Sequence, residues 1–257
     1  MRENKLKRLW EEDKIALNVW LTIPSAWTAE VMAQAGFDSL TIDLQHGLID
    51  YQTALGMLQA ISTTPVVPLV RAPWNEPSMI MRLLDAGAYG VICPMVNSRA
   101  EAEAFVQACR YPPAGNRSYG PTRAAVYAGG DYFKSADRTV LTLAMIETAQ
   151  ALESVEEIAA TPGLDGFYVG PIDLSISLGL SEKVDFDHSR LQEALDRIQR
   201  AAKANKLVTG IHTLSPGNVA GLRRRGFDLL TPATDTILLD TAARNALAQA
   251  RQAVDIT

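Results

Sequence analysis

Short runs of aliphatic and β-branched residues alternate along the chain with longer segments whose apolar positions return every three or four residues. The short runs predict strands over Ile15–Leu21, Ser39–Leu44, Val66–Val70, Gly90–Pro94, Val140–Ile146, Gly166–Val169, Leu207–Ile211 and Leu229–Pro232. A predicted helix follows each one, over Ser25–Ala35, Asp50–Ile61, Pro77–Ala86, Ser98–Cys109, Ala151–Ala160, Ser189–Ala204, Pro216–Arg225 and Asp235–Gln252. Ser98 and Ser189 suit helix N-caps, and Pro77 and Pro216 suit a first helical turn. Gly36, Gly87, Gly163 and Gly226 each follow a helix and precede a strand, as helix-closing glycines do. The phrases Gln34-Ala-Gly-Phe-Asp, Asp85-Ala-Gly-Ala-Tyr and Arg225-Gly-Phe-Asp recur at that junction, a weak internal repeat of one βα unit.

Eight βα units in succession predict one α/β domain over residues 1–257, a closed parallel (β/α)8 TIM barrel. A doubly wound sheet would want a Gly-rich phosphate fingerprint after its first strand, and Trp20-Leu-Thr-Ile-Pro is nothing of the kind. One connection is anomalous. Residues 111–139 form a long loop rich in Gly, Tyr, Arg and Pro, whose aromatic side chains want burial. Structureless loops of that length serve as lids or interface segments, and we expect a lid or a subunit contact here.

Composition narrows the class. The chain has 257 residues, 47% hydrophobic and 21% charged, with a net charge of −5 and no basic stripe, so nucleic acid is not an expected partner. Two cysteines, Cys93 and Cys109, are too few for a disulfide framework and wrongly spaced for a zinc site. The charged start Met1-Arg-Glu-Asn-Lys-Leu-Lys is followed by no apolar run, and no stretch approaches the roughly 20 apolar residues of a membrane helix. A cytoplasmic protein with no membrane partner is expected.

In such a barrel the active site lies at the C-terminal strand ends. Strand two runs into Asp43-Leu-Gln-His46-Gly, strand three ends at Arg71, strand five at Glu147, and strand six leads to Gly170-Pro171-Ile172-Asp173. Glu147 and Asp173, on adjacent strand ends with no cysteine nearby, suit a hard divalent cation such as Mg²⁺ or Mn²⁺; Asp173 could instead cap the residues after it. Arg71 offers a planar fork for a carboxylate or enolate oxygen, or a salt bridge within the barrel. His46 carries an imidazole able to act as a base near neutral pH, and Asp43 could orient it. His212, after strand seven, is a second candidate base, while His188 lies in a charged stretch.

None of the seven lysines ends a predicted strand, whereas a Schiff-base aldolase needs a desolvated lysine there. A carbanion formed at this rim would therefore be stabilised by a metal. The loops after strands seven and eight lack a Gly-rich phosphate cup, so an unphosphorylated substrate is expected.

The phrases Thr41-Ile-Asp-Leu-Gln-His-Gly, Pro68-Leu-Val-Arg-Ala-Pro-Trp, Met145-Ile-Glu-Thr and Gly166-Phe-Tyr-Val-Gly-Pro-Ile-Asp-Leu-Ser resemble the class II, metal-dependent pyruvate aldolases (the HpcH/HpaI aldolase family, typified by 4-hydroxy-2-oxoheptanedioate aldolases). The likeness runs from about Asn4 to Ala248. It implies reversible aldol cleavage of 4-hydroxy-2-oxo acids to pyruvate and an aldehyde, with Mg²⁺, Mn²⁺ or Co²⁺ as cofactor. It further implies His46 as general base, Arg71 as transition-state stabiliser, and Glu147 and Asp173 as metal ligands. Asp85 matches an aspartate that raises the histidine's basicity from a neighbouring subunit, although its place in this sequence is that of a late-helix surface residue. Ile172 matches a position whose backbone amide holds the substrate, within a substrate-binding set of Trp20, Met145, Arg71, Gly170, Pro171, Ile172 and Asp173. Met145 is a departure, since the family often has a glutamine there. The family is hexameric, a trimer of dimers, with the last helix exchanged between partner barrels. A malyl- or citramalyl-thioester lyase, a phosphoenolpyruvate mutase-like or phosphoryl-transfer enzyme, and a non-catalytic binding barrel are the rival readings.

Overall fold

The computed structural model describes residues 1–254. Eight parallel strands close a barrel in sequence order: β1 (Ala16–Leu21), β2 (Ser39–Asp43), β3 (Val67–Arg71), β4 (Gly90–Cys93), β5 (Leu141–Ile146), β6 (Gly166–Val169), β7 (Val208–His212) and β8 (Leu229–Thr231). The helices are α1 (Lys5–Glu11), α2 (Ala26–Ala33), α3 (Tyr51–Ile61), α4 (Pro77–Asp85), α5 (Arg99–Cys109), α6 (Thr122–Ala128), α7 (Tyr132–Thr139), α8 (Ala149–Glu153), α9 (Val155–Ala159), α10 (Pro171–Ser177), α11 (Ser189–Ala204), α12 (Val219–Arg224) and α13 (Asp235–Ala253). All residues of β2 to β6 are buried, as expected of strands covered on both faces. The outward-facing side chains pack beneath the helices, and Trp20, Leu69, Ile92, Leu143, Met145 and Tyr168 belong to a second, inner cluster.

Local chemistry explains the borders. Ser25, Asp50, Glu76, Ser98, Thr148 and Thr234 each accept a backbone N–H in the first turn of the helix that follows. The α11 cap moves one residue from the expected Ser189 to His188. Gly36, Gly87, Gly163 and Gly226 close helices in left-handed backbone, as read from the sequence.

The recurrent Gly-Phe-Asp phrase turns out to be a latch. Asp38 and Asp228 stand just before β2 and β8 and accept the backbone N–H of Leu17 and Thr209, each the second residue of the preceding strand. Asp165, before β6, does the same to Thr142 of β5. Strand pairs are thereby tied at the N-terminal rim.

Residues 111–139 depart from the expectation of a structureless loop. They form α6 and α7, and Tyr111, Arg117 and Tyr132 are almost wholly buried. The segment joins a helix to a strand, so it lies at the N-terminal rim, opposite the strand ends proposed to carry chemistry. Arg123 donates to the carbonyls of Ala86 and Leu58 at the ends of α4 and α3, and Arg2 donates to Ser62 and Thr64 beside them. It therefore cannot serve as a lid over its own barrel's mouth.

The last helix also departs from the usual outer ring. Within α13 only Asp235 is buried, accepting from Thr22 and Ile23 at the end of β1. Ile237, Leu239 and Leu247 are each more than half exposed. No helix among the described residues is long and apolar enough to cross a membrane.

Candidate active site

A cavity of about 260 Å³ opens at the C-terminal strand ends. That is small beside the roughly 300–1,000 Å³ of pockets for drug-sized ligands, and suits a metabolite of a few carbons. Nine of the expected site residues line it: Trp20 from β1, Asp43 and His46 from β2 and its turn, Arg71 from β3, Met145 from β5, and Gly170, Pro171, Ile172 and Asp173 after β6.

Asp43 and Arg71 are direct partners across β2 and β3. Their side chains form a fork, Nε to Oδ1 at 2.8 Å and Nη2 to Oδ2 at 2.6 Å, with both nearly buried. The guanidinium also lies over the Trp20 indole, 4.2 Å from its centroid. Two of its five N–H groups are committed to Asp43, which leaves three for a ligand.

This arrangement corrects the reading of Asp43 as the orienter of the His46 ring. Its Oδ1 also accepts the backbone N–H groups of Gln45 and His46, so the carboxylate holds Arg71 and the turn rather than the imidazole. The His46 side chain itself is exposed at the outer edge of the cavity. Gly47 completes the turn, because a Cβ there would collide with the Asp43 carbonyl oxygen.

Glu147 follows β5 and is 2% exposed. Its Oε1 accepts the Met95 N–H at 2.7 Å. Met95 is held at φ 55, an uncommon conformation for a non-glycine residue, and the Asn97 amide secures it by donating to its carbonyl oxygen at 2.9 Å. Burial raises the Glu147 carboxyl above its ordinary range; the Met95 N–H opposes this, the Asp173 charge adds to it, and Arg71 opposes it weakly. Gly170 leaves room for the carboxylate: a Cβ there would stand 2.8 Å from Glu147 Oε2.

Asp173 occupies the first turn of α10, exposed at the cavity, and no hydrogen bond from the described residues reaches its carboxylate. Two carboxylates within electrostatic reach, one of them buried with an oxygen left over, have the donor chemistry of a hard-cation site. No cluster of three or more His, Cys, Asp or Glu side chains gathers among the described residues, so water and ligand oxygens would complete such an ion's shell.

The remaining walls mix apolar side chains with Thr22, His212 and Thr234. Met145 is buried against the site of Gly170, and Trp20 stacks at a tilt on Tyr168 with centroids 5.3 Å apart. No lysine lines the cavity.

Asp85 is not brought to this site within the chain. It ends α4 at the opposite rim, where it pairs with the buried Arg117 at 2.6 Å, and burial raises its carboxyl despite that partner. Sequence reasoning missed Met95, whose backbone rather than side chain matters. It also read His212 only as a possible base, whereas its Nδ1 accepts the Leu214 N–H.

With the geometry in hand, comparison with known proteins gives one consistent result. A family model described as HpcH/HpaI aldolase/citrate lyase matches residues 17–242. The chain is 42% identical to a hydroxypyruvate/pyruvate aldolase of Rhizorhabdus wittichii over 248 residues, covering 96% of this chain and 99% of the relative. It is 36% identical to a 4-hydroxy-2-oxo-heptane-1,7-dioate aldolase of Shigella sonnei, with 79% of each chain covered. A crystal structure of an HpcH/HpaI aldolase/citrate lyase family protein from Burkholderia cenocepacia superposes with a TM-score of 0.89 at 34% identity, covering 96% of this chain and 99% of the other. On this match of fold, length and sequence, the chain belongs to the HpcH/HpaI aldolase/citrate lyase family.

Proposed function

We propose that this protein is a metal-dependent pyruvate aldolase, catalysing reversible cleavage of 4-hydroxy-2-oxo acids to pyruvate and an aldehyde. One observation carries the reading: Arg71 and an exposed, unpartnered Asp173 line one small cavity, and the buried Glu147, packed behind the cavity-lining Gly170, feels the charge of both. The names of the relatives, pyruvate aldolases among them, support the same chemistry.

Glu147 and Asp173 would hold a divalent cation, magnesium, manganese or cobalt. Such an ion supplies Lewis acidity toward the carboxylate and keto oxygens of a 2-oxo acid. Arg71, immobilised by Asp43 and Trp20, directs its remaining N–H groups at the oxygen on C2, where negative charge develops as the C3–C4 bond breaks. His46, at the open edge, takes the proton from the C4 hydroxyl, and the electron pair of the broken bond passes to the enolate of pyruvate. Protonation at C3 gives pyruvate. The first-turn amide of Ile172 has no partner within its helix and can bind the substrate carboxylate, with Gly170 and Pro171 shaping that turn. Trp20 and Met145 exclude water from the donor end. Absence of lysine from the cavity is consistent with an enolate route rather than an imine.

The exposed apolar residues of α13 support exchange of this helix between partner barrels in a hexamer built as a trimer of dimers. In that assembly Asp85 of one copy would approach His46 of another. A cytoplasmic location fits the acidic, disulfide-free chain.

The test is pyruvate release from a panel of 4-hydroxy-2-oxo acids by chelator-stripped protein, before and after adding Mg²⁺ or Mn²⁺. Turnover that appears only with metal supports the proposal, and turnover that is indifferent to metal refutes it.

A further inference from the structure

His212 ends β7, in register with Thr231 of β8, and its half-buried ring lines the cavity. Two residues on, Leu214 sits at φ 62, a left-handed backbone that a branched side chain adopts only under constraint. That turn brings its N–H to Nδ1 of His212 at 3.2 Å. A ring nitrogen that accepts a hydrogen bond carries no proton, so the neutral imidazole keeps its hydrogen on Nε2. Burial, and after it the Arg71 charge, pushes this imidazole down to about 4, which keeps the ring neutral near pH 7. Among the described residues nothing accepts from Nε2.

Trp20 fixes where that free donor stands. Its indole takes the Arg71 guanidinium on its face at 4.2 Å and the His212 ring edge-on at 5.9 Å. The His212 ring and the Arg71 guanidinium thus both pack on Trp20 and line the same cavity, near enough for the Arg71 charge to act on the imidazole. In the aldolase reading, on which this inference rests, Arg71 serves the oxygen on C2, and the next substituent along the chain is on C3. His46 stands exposed at the mouth, on the aldehyde side. We infer that His212 is a specificity-determining residue that donates from Nε2 to a hydroxyl oxygen on C3, favouring 3-hydroxy-2-oxo acid donors over pyruvate.

Such a hydroxyl would be buried against Trp20 and Met145, where an unmet hydrogen bond is costly. The inserted donor therefore reads the presence of oxygen at that carbon. A variant that removes it should lose the hydroxylated donor selectively.

The experiment compares kcat/KM for aldol addition of hydroxypyruvate and of pyruvate to one fixed aldehyde, in the Mg²⁺-loaded wild type, His212→Leu and His212→Gln. Expected is a fall of about tenfold in the hydroxypyruvate-to-pyruvate ratio for the leucine variant. Glutamine, whose amide N–H₂ can reach the Nε2 position, should recover most of it. Because changes common to both donors cancel in the ratio, a merely structural role would leave it unmoved, and an unchanged ratio overturns the assignment. Should the leucine variant fail to fold, ¹⁵N-histidine spectra of the Mg²⁺-loaded wild type decide the question, helped by there being only three histidines. The Nε2–H tautomer, with a resonance that moves on adding hydroxypyruvate more than on adding pyruvate, supports it; the Nδ1–H tautomer overturns it. Absence of turnover with either donor in the wild type overturns the aldolase reading and this inference together, a result distinct from an unchanged ratio.

Discussion

The two rims of this barrel carry the same residue types and use them differently. At the N-terminal rim the carboxylates set against the strands and at the end of α4 are engaged: Asp165 receives Lys7, Arg110 and both Thr142 donors, Asp38 receives Lys5 and the Leu17 N–H, and Asp85 receives Arg117. At the C-terminal rim Asp173 receives nothing from the described residues, Glu147 receives one N–H, and Arg71 keeps three donors free. Backbone strain divides the same way. Met95 and Leu214 adopt left-handed backbone to aim an N–H at Glu147 and at His212, whereas the left-handed Lys206 merely ends a helix. A rim whose polar groups are satisfied holds the fold together; one whose groups are held in place yet left open is prepared for a ligand.

Four substitutions test this contrast, beginning with the largest effect. Glu147→Ala should lower kcat/KM by about 10³-fold or more, since a lost ligand forfeits several kcal/mol of charge stabilisation. Its thermal midpoint should hold or rise, because a buried and poorly compensated carboxyl is removed. A collapse of the fold instead would make Glu147 structural and erase the difference between the rims. Asp165→Ala should do the reverse. Stripping the nearly buried Arg110 of its partner should cost about 3 kcal/mol of stability, visible as a lower denaturant midpoint, with KM little changed.

Gly170→Ala sharpens the comparison at intermediate size. Its Cβ would press on Glu147 Oε2, so metal affinity measured by titration should weaken by about 10–100-fold while the fold survives. The smallest effect concerns acid stability. His212 stays neutral in the folded chain down to about pH 4, whereas the unfolded chain takes up the proton from about pH 6.5. Protons therefore favour unfolding across that window, and wild type should lose more stability between pH 6.5 and 4 than His212→Leu. Parallel melting curves for the two proteins would exclude the depressed imidazole.

Much of this was legible in the chain itself. Short β-branched apolar runs and period-3.6 hydrophobicity, with capping residues between, place eight strands within a residue or two of their observed ends. Strand ends in turn located Asp43, His46, Arg71 and Glu147 on one rim, since parallel strands joined by helices all point the same way. For the connection at 111–139 the structureless loop and the lid fail, because aromatic content reports burial and not which rim receives it. Its place between a helix and a strand already assigned it to the N-terminal side.

What the sequence determined on its own was periodic and local: the element types, the caps, the glycine-closed helices, and hence the barrel and the roster of residues at its mouth. Only the folded chain decided that Asp43 grips Arg71 instead of the His46 ring, that Asp85 faces Arg117, that α13 extends from the barrel with its apolar residues bare, and that His212 presents Nε2–H. The division has a physical cause. Backbone periodicity follows from neighbours a few positions away, whereas a hydrogen bond's direction depends on how strands far apart in the chain are set side by side.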